Sequence, residues 1–392
     1  MKESPRRPLA KMRPSYIVFL SALPFAVYLF FNAGDYQDAL RFIAPGLAVT
    51  VFVTVVAYLV ASILGLGLAA LLALASKRRT VFVYGGIVVL LAAASVWLFN
   101  RPQVTYRLIG DTSGRVAILP GTPGRISDRV RDGTYAEGAE SMAVRGVETV
   151  AVALERLEED IVSAALLPID EAPADAISLW EVTFLPDSAR NPAITLMVLA
   201  AVLGVLTFAS WQTQQHPLAI FAELYIDMIR GIPMLVIILY VGFPLQGAIR
   251  DITAGVIDMS RVTRGIVGIS LGYAAYMAEI FRAGIEAIPK GQFEAARSLG
   301  LNGWQTAFYI VLPQALKIVI PPLGNEFIAM LKDTSLLSIL SVRDITQRAR
   351  EFQSSNFIVF APFNTVAILY ISLTLAASSL VKFVERRSKR SN

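Results

Sequence analysis

Residues 45–75 run for 31 positions without a charged side chain, and few folds can absorb such a stretch. As a helix rising 1.5 Å per residue it would reach about 46 Å, against a hydrocarbon core of about 30 Å, so it crosses a membrane tilted or projects from it. Gly65, Gly67, Ala69, Ala70 and Ala73 offer small surfaces on which a second helix can pack closely in lipid. Lys77, Arg78 and Arg79 follow at once and mark that end as cytoplasmic, because basic residues accumulate on the inner side. The whole chain is 55% hydrophobic, above the roughly 45–50% of soluble domains. Its formal charge of +5 lies beside apolar runs, where it indicates membrane orientation; nucleic-acid binding is not indicated. With no cysteine, a disulfide framework and a thiolate metal site are both excluded.

Seven further apolar runs, at 16–31, 81–99, 192–211, 236–249, 265–284, 316–331 and 363–384, bring the expected crossings to eight. The expected fold is an all-α polytopic membrane protein of about eight transmembrane helices with a small α/β domain inserted outside the membrane. Its parts are a basic tail (1–15), helices in 16–99, the inserted domain (100–191), helices in 192–384 and a second basic tail (385–392). An even number of crossings leaves both tails in the cytoplasm. The first run is long enough to span, has a long basic flank and lacks a small-x-small site after it, so a retained span is expected rather than a cleaved signal. Two outer loops run against the charge rule, one with Arg261 and Arg264, the other with Arg343, Arg348 and Arg350; Asp251, Asp258, Asp344 and Glu351 lie among them. Residues 217–230 are amphipathic, with Glu223, Asp227 and Arg230 at helical spacings, and suit an interface. The single histidine, His216, is expected in a solvated loop.

Residues 100–191 are far too polar for lipid. Within them 116–119 has a strand pattern, Thr122 and Pro123 start a helix toward Asp132, 143–147 is strand-like, 148–160 is helical and 161–169 is apolar again. That order resembles part of one lobe of a periplasmic solute-binding protein. A clamshell receptor needs two lobes, so the expected role is a structural insert or docking platform.

Between the runs at 265–284 and 316–331 lies the polar segment 285–313. Ala and Leu favour helix in 294–299, Glu294 sits near the positive helix end, and Gly300 can close it in a left-handed conformation. After a turn at 301–303 a second helical run, 304–312, leads to Pro313, where a new helix is expected to begin. The spacing is Glu294-Ala295-Ala296, three residues, Gly300, nine residues, isoleucine, one residue, then Leu312-Pro313. It resembles the coupling loop of ABC-importer permeases, which sits in a groove on the ATPase subunit. The flanks, YMAEIFRAGIEAIPKGQ at 276–292 and NEFIAMLKDTSLL at 325–337, resemble the polar amino acid (histidine, glutamine, arginine) branch of that family, as does the RGIP element at 230–233. The resemblance implies a type I importer core in the cytoplasmic (inner) membrane of a prokaryote. It implies as partners a second permease, identical or a sister chain, an ABC ATPase dimer carrying ATP and Mg, an extracytoplasmic solute-binding protein and an amino acid substrate. In that family a shorter link joins the long first core helix to the RGIP element, so 81–215 is expected to be an inserted two-span hairpin carrying the outer domain.

No GxxxxGK[ST] loop occurs, nor a His-Glu-x-x-His or Gly-x-Ser-x-Gly motif, so the chain holds no recognisable ATP site, and no cofactor or metal is expected in it. Charges in late spans are costly and normally face a cavity or a partner. Glu279, and Glu326, Lys332 and Asp333 with Thr334 and Ser335, are therefore the substrate-path candidates. Glu326 and Asp333 are seven apart and share a face; either could accept from a substrate ammonium, with Lys332, Thr334 or Ser335 donating to its carboxylate. The rival for these residues is an ion-paired packing network. Two other functions are weighed. An ion-coupled secondary carrier would need inverted repeats, which are not seen. A membrane sensor with an external ligand-binding domain would not need the segment 294–313. Co-purification with a small nucleotide-binding subunit separates the three.

Overall fold

The structure, a computed structural model, describes residues 34–74, 78–173, 175–253 and 255–390, with isolated positions between 21 and 32. The basic tail 1–15, most of the run at 16–31, and Lys77 lie outside the described residues. In chain order the elements are α1 (Gly34–Ile43), α2 (Gly46–Leu72), α3 (Arg78–Phe99), β1 (Val104–Gly110), β2 (Arg115–Ile118), α4 (Gly124–Arg131), β3 (Ala143–Gly146), α5 (Val150–Glu158), β4 (Ala164–Pro168), β5 (Ser178–Phe184), α6 (Asp187–Thr213) and α7 (Pro217–Gly231). Then follow α8 (Met234–Ile252), α9 (Arg261–Glu286), α10 (Lys290–Ser298), α11 (Gly303–Leu340), α12 (Ile345–Asn356) and α13 (Phe360–Arg390). Among the described residues six helices are long and apolar enough to cross a membrane: α1 with α2, then α3, α6, α8, α11 and α13. The chain divides into two units, one built from the parts before Leu74 and after Leu218, the other from Ala75–Pro217.

The first unit is organised on α2 and α9. Val53, Ala57 and Ala61 of α2 meet Ile269, Tyr273 and Met277 of α9, with Ile238, Met330 and Leu337 closing the cluster. Small residues make this approach possible. A Cβ on Gly65 would lie 2.7 Å from the Met277 Cβ and 3.0 Å from the Ala274 carbonyl oxygen. Buried hydroxyls are satisfied within the unit, as lipid demands: Ser270 donates to the Ala57 carbonyl at 3.2 Å, and Thr54 to the Thr50 carbonyl at 2.7 Å. A second cluster joins Ala39 and Ile43 of α1 to Ile345, Ala349 and Phe352 of α12 and to Ala361 and Val366 of α13. The stretch 332–362, expected as an outer loop, has α12 at its centre, started by Asp344, whose side chain accepts from the Gln347 amide. Two of the five arginines that strained the charge rule have acidic partners, Asp258 at 3.1 Å from Arg264 and Glu351 at 2.8 Å from Arg343, and Arg348 donates to the Phe42 carbonyl at 3.1 Å.

In the second unit α3 and α6 pair, and Ser95 donates to the Ala193 carbonyl at 2.8 Å. Between them in sequence lies a five-stranded sheet of order β3-β2-β4-β1-β5. β2, β3 and β4 are parallel, and β1 pairs antiparallel with β4 and β5. One face packs Ile126 and Val130 of α4 on Leu108, Val116 and Leu166; the other packs Ala153 of α5 on Ala117, Ala165 and Leu167. The strand and helix pattern expected for 116–169 is what forms. β1 and β5 were not expected, because residues such as Arg107 and Glu181 interrupt their apolar pattern; in the sheet these two pair across the strands at 2.9 Å. His216 lies in the short link between α6 and α7, as expected, but is half-buried, edge-on to Tyr84 with ring centroids 5.6 Å apart.

Candidate functional site: the α10–α11 elbow and the charges of α9 and α11

α10 begins after Pro289, whose fixed φ suits the position before a helix. It ends in a paired set of bonds: the Gly300 amide donates to the Arg297 carbonyl at 2.9 Å and the Leu301 amide to the Ala296 carbonyl at 3.1 Å. This closure needs a residue at positive φ, and Gly300 supplies it at +76°. Two residues on, Asn302 accepts from the Gln305 amide while the Gln305 side chain accepts from the Asn302 amide, each at 2.9 Å. That capping box starts α11 in a new direction. The turn is therefore fixed at both ends within four residues, 299–302.

The sequence-predicted residues divide by exposure. Glu294, Ala295, Gly300, Leu312 and Pro313 are exposed, and Ala296 is buried. One expectation is corrected: no new helix starts at Pro313. α11 runs on from Gly303, and the turn before the proline widens into a π-helix at Thr306–Val311. Proline has no amide hydrogen, and its ring crowds the carbonyl four residues back, here that of Tyr309; the wider turn absorbs that conflict without breaking the helix.

Glu326 and Asp333 lie near Tyr273, whereas Glu279 is not part of that group. Tyr273 of α9 donates to the Asp333 Oδ2 at 2.8 Å, tying α9 to α11. Glu326 is half-buried two turns earlier. Near it, Tyr58 of α2 donates to the Leu323 carbonyl at 3.1 Å and stands edge-on to Phe327. Thr334 is buried and donates to the Leu331 carbonyl at 2.7 Å, so its hydroxyl proton is already placed. Lys332 is exposed and Ser335 is half-buried. Glu279 belongs elsewhere, in a chain with Arg282 at 2.7 Å and on to Glu286 at 3.2 Å. That ladder was readable from the spacing of three and four along one helix. Tyr58 and Tyr273 carried no such signal, since their partners are distant in sequence. Arg230, at the end of α7, lies 5.7 Å from the ring of Tyr276, a cation-π distance. Among the described residues no group of three His, Cys, Asp or Glu is placed to hold a metal.

The profile of the family described as "Binding-protein-dependent transport system inner membrane component" matches residues 209–390, which contain the elbow and the α9 and α11 charges. The sheet, at 104–184, lies outside that match. The probable glutamine ABC transporter permease protein GlnM of Bacillus subtilis is 37% identical over 192 residues, 48% of this chain and 85% of its own. The glutamine transport system permease protein GlnP of Escherichia coli is 35% identical over 222 residues, 52% of this chain and 97% of its own. The histidine/lysine/arginine/ornithine transport system permease protein HisQ of Escherichia coli is 30% identical over 199 residues, 50% of this chain and 87% of its own. With that coverage and an elbow of fixed geometry at the matching motif, this chain belongs to the ABC-importer permeases of the polar amino acid branch, as a membrane subunit that leaves ATP hydrolysis to a separate partner.

Proposed function

We propose that the chain forms the translocation path for polar or charged amino acids, paired with a second permease, and that the elbow 294–313 is where an ABC ATPase dimer grips it. The observation that carries the reading is the doubly fixed turn. A segment that passes force between subunits must not deform, and here Gly300 and the Asn302–Gln305 box hold the angle between α10 and α11. The exposed Glu294 and Ala295 would contact the ATPase, the buried Ala296 would seat α10 on the permease, and Leu312 and Pro313, on α11, would carry the motion of the elbow into the membrane. ATP and Mg would be bound by that partner, and an extracytoplasmic solute-binding protein would deliver substrate. The polar amino acid class follows the names of the relatives. Glu326 and Asp333 are the path candidates to test first, with Lys332 and Ser335 beside them. Glu279 and Thr334, already paired, have supporting places.

Topology belongs to the same proposal. Eight crossings, counting the run at 16–31 and the 26-residue α9 as spans, put both tails in the cytoplasm and 100–191 outside, carried on the α3–α6 hairpin as an insert. The testing experiment is affinity purification of the tagged chain co-expressed with an ABC ATPase subunit of the amino acid importer class. A stoichiometric complex whose ATPase is stimulated by a solute-binding protein loaded with amino acid is expected. A chain that purifies alone, while correctly inserted, counts against the reading.

A further inference from the structure

The second arm of the elbow exposes an aromatic cluster that an ATPase contact on α10 leaves unused. Trp304 is 78% exposed, Tyr309 66% and Phe308 53%. Their rings gather on one side: Trp304 stacks on Phe308 at 6.5 Å and Phe308 meets Tyr309 edge-on at 5.6 Å. The π-turn contributes to this, because closing on the fifth residue instead of the fourth swings Tyr309 toward the side of Trp304. The opposite side is packed, with Val311 and Ala315 buried against Ile288, so the rotation of the helix is set and the rings are held outward.

Two observations identify what covers them. The exposed stripe continues in steps of four through Leu312 and Leu316, onto the part of α11 that is apolar enough to cross a membrane. It is thus continuous with a lipid-facing surface. α11 also spans 38 residues, about 57 Å, more than the ~40–45 Å of a bilayer with its headgroups, so it extends beyond the bilayer, and with the elbow on the cytoplasmic side its first turns pass through the inner interface. Tryptophan and tyrosine, with an apolar ring and a polar tip, are most stable at that depth. α10 differs: Glu294, Arg297 and Ser298 are exposed, and the one large exposed apolar side chain beside them, Leu299, lies just past its end.

We infer that Trp304, Phe308 and Tyr309 form a membrane-interface anchor, seated in the headgroup layer of the cytoplasmic leaflet. The anchor fixes the depth and rotation at which α10 is offered to the ATPase. The elbow then has two faces for two partners, a lipid face on α11 and a subunit face on α10. This rests on the elbow being cytoplasmic, as proposed above.

Replacing Trp97, Trp180 and Trp211 with Phe leaves Trp304 as the only one of the four tryptophans. In vesicles of phosphatidylcholine brominated close to its headgroup, the anchor predicts blue-shifted emission, quenched by the bromine and insensitive to iodide, with or without the ATPase subunit. Emission indifferent to bromine, and quenched by iodide until the ATPase is added, would make the cluster a docking surface and overturn the inference. Iodide quenching in both states overturns it too. If the triple variant fails to insert, Trp304→Cys in this cysteine-free chain can carry a nitroxide. Its collisions with oxygen should exceed those with a water-soluble nickel chelate, and the reverse order sinks the anchor. The permease alone decides the lipid contact, whereas failure of the ATPase to associate in the parallel arm would count against the coupling proposal.

Discussion

At the scale of single residues, Gly300 and Asp344 are placed most definitely. A side chain on Gly300 would touch nothing within 4 Å, so the whole cost of Gly300→Val is conformational, about 1–2 kcal/mol for an L residue forced into the left-handed region and more for a β-branched one. The variant should insert normally and lose ATPase association or uptake, while Gly300→Asn, which tolerates that region, should retain most of both. Normal uptake with normal association in the valine variant would remove the elbow from the mechanism. Asp344, nearly inaccessible to solvent, is raised by burial to about 6, although hydrogen bonds from the Gln347 amide, Thr346 and Tyr370 pull the other way. Below that value the folded chain keeps a proton that the unfolded chain loses at lower pH, so stability falls as pH rises through about 6. Asp344→Asn keeps a good cap for α12 and removes the titration. Its melting temperature in detergent should vary less between mildly acidic and neutral pH than that of the parent; an identical slope would mean that another group titrates.

Between elements, the contact of α2 with α9 is the one with least room. Gly65→Val would drive a side chain into the Met277 Cβ and the Ala274 carbonyl, both on a helix also packed by Ile238 and Leu337. Overpacking of this kind costs about 1–3 kcal/mol, so a drop in thermal stability is expected, whereas Gly67→Val, with nothing within 4 Å, should be nearly silent. Equal effects at the two positions would mean that intrinsic helix propensity, and not contact, decides. The Tyr273–Asp333 bond joins α9 to α11 at the same level. Asp333→Asn keeps the shape and an acceptor, so a path residue should change uptake or substrate choice with assembly intact. A packing residue should instead lower stability, with uptake per folded transporter unchanged.

For the whole molecule the testable quantity is sidedness. A cysteine at Asp132, exposed at the end of α4, should react with an impermeant thiol reagent in intact cells, and one at Arg386 only after lysis. The opposite pattern would invert the topology. The sheet unit also bears on function: an isolated fragment covering 101–190, if it folds, should show no saturable amino acid binding by calorimetry, since a single sheet has no second lobe to close against. Micromolar binding would make it a receptor.

The sequence by itself determined what depends on local pattern. Long apolar runs specified helices of membrane length, the spacing from Glu294 to Pro313 specified a helix, a turn and a second helix, and the pattern in 116–169 specified strands alternating with helices. In each the deciding interactions lie within about one turn or one strand of each other, so one stretch of chain contains both partners. Only tertiary structure decided the rest. Which side of α11 is buried near Pro313, Val311 and Ala315 against Ile288, depends on the segment it packs on and not on the local pattern. β1 and β5 complete the sheet although their own pattern is weak, because a strand's apolar face is defined by what it covers. Asp333 meets Tyr273 sixty residues away, and the partner of a buried charge is set by how helices cross, which no spacing along one helix contains.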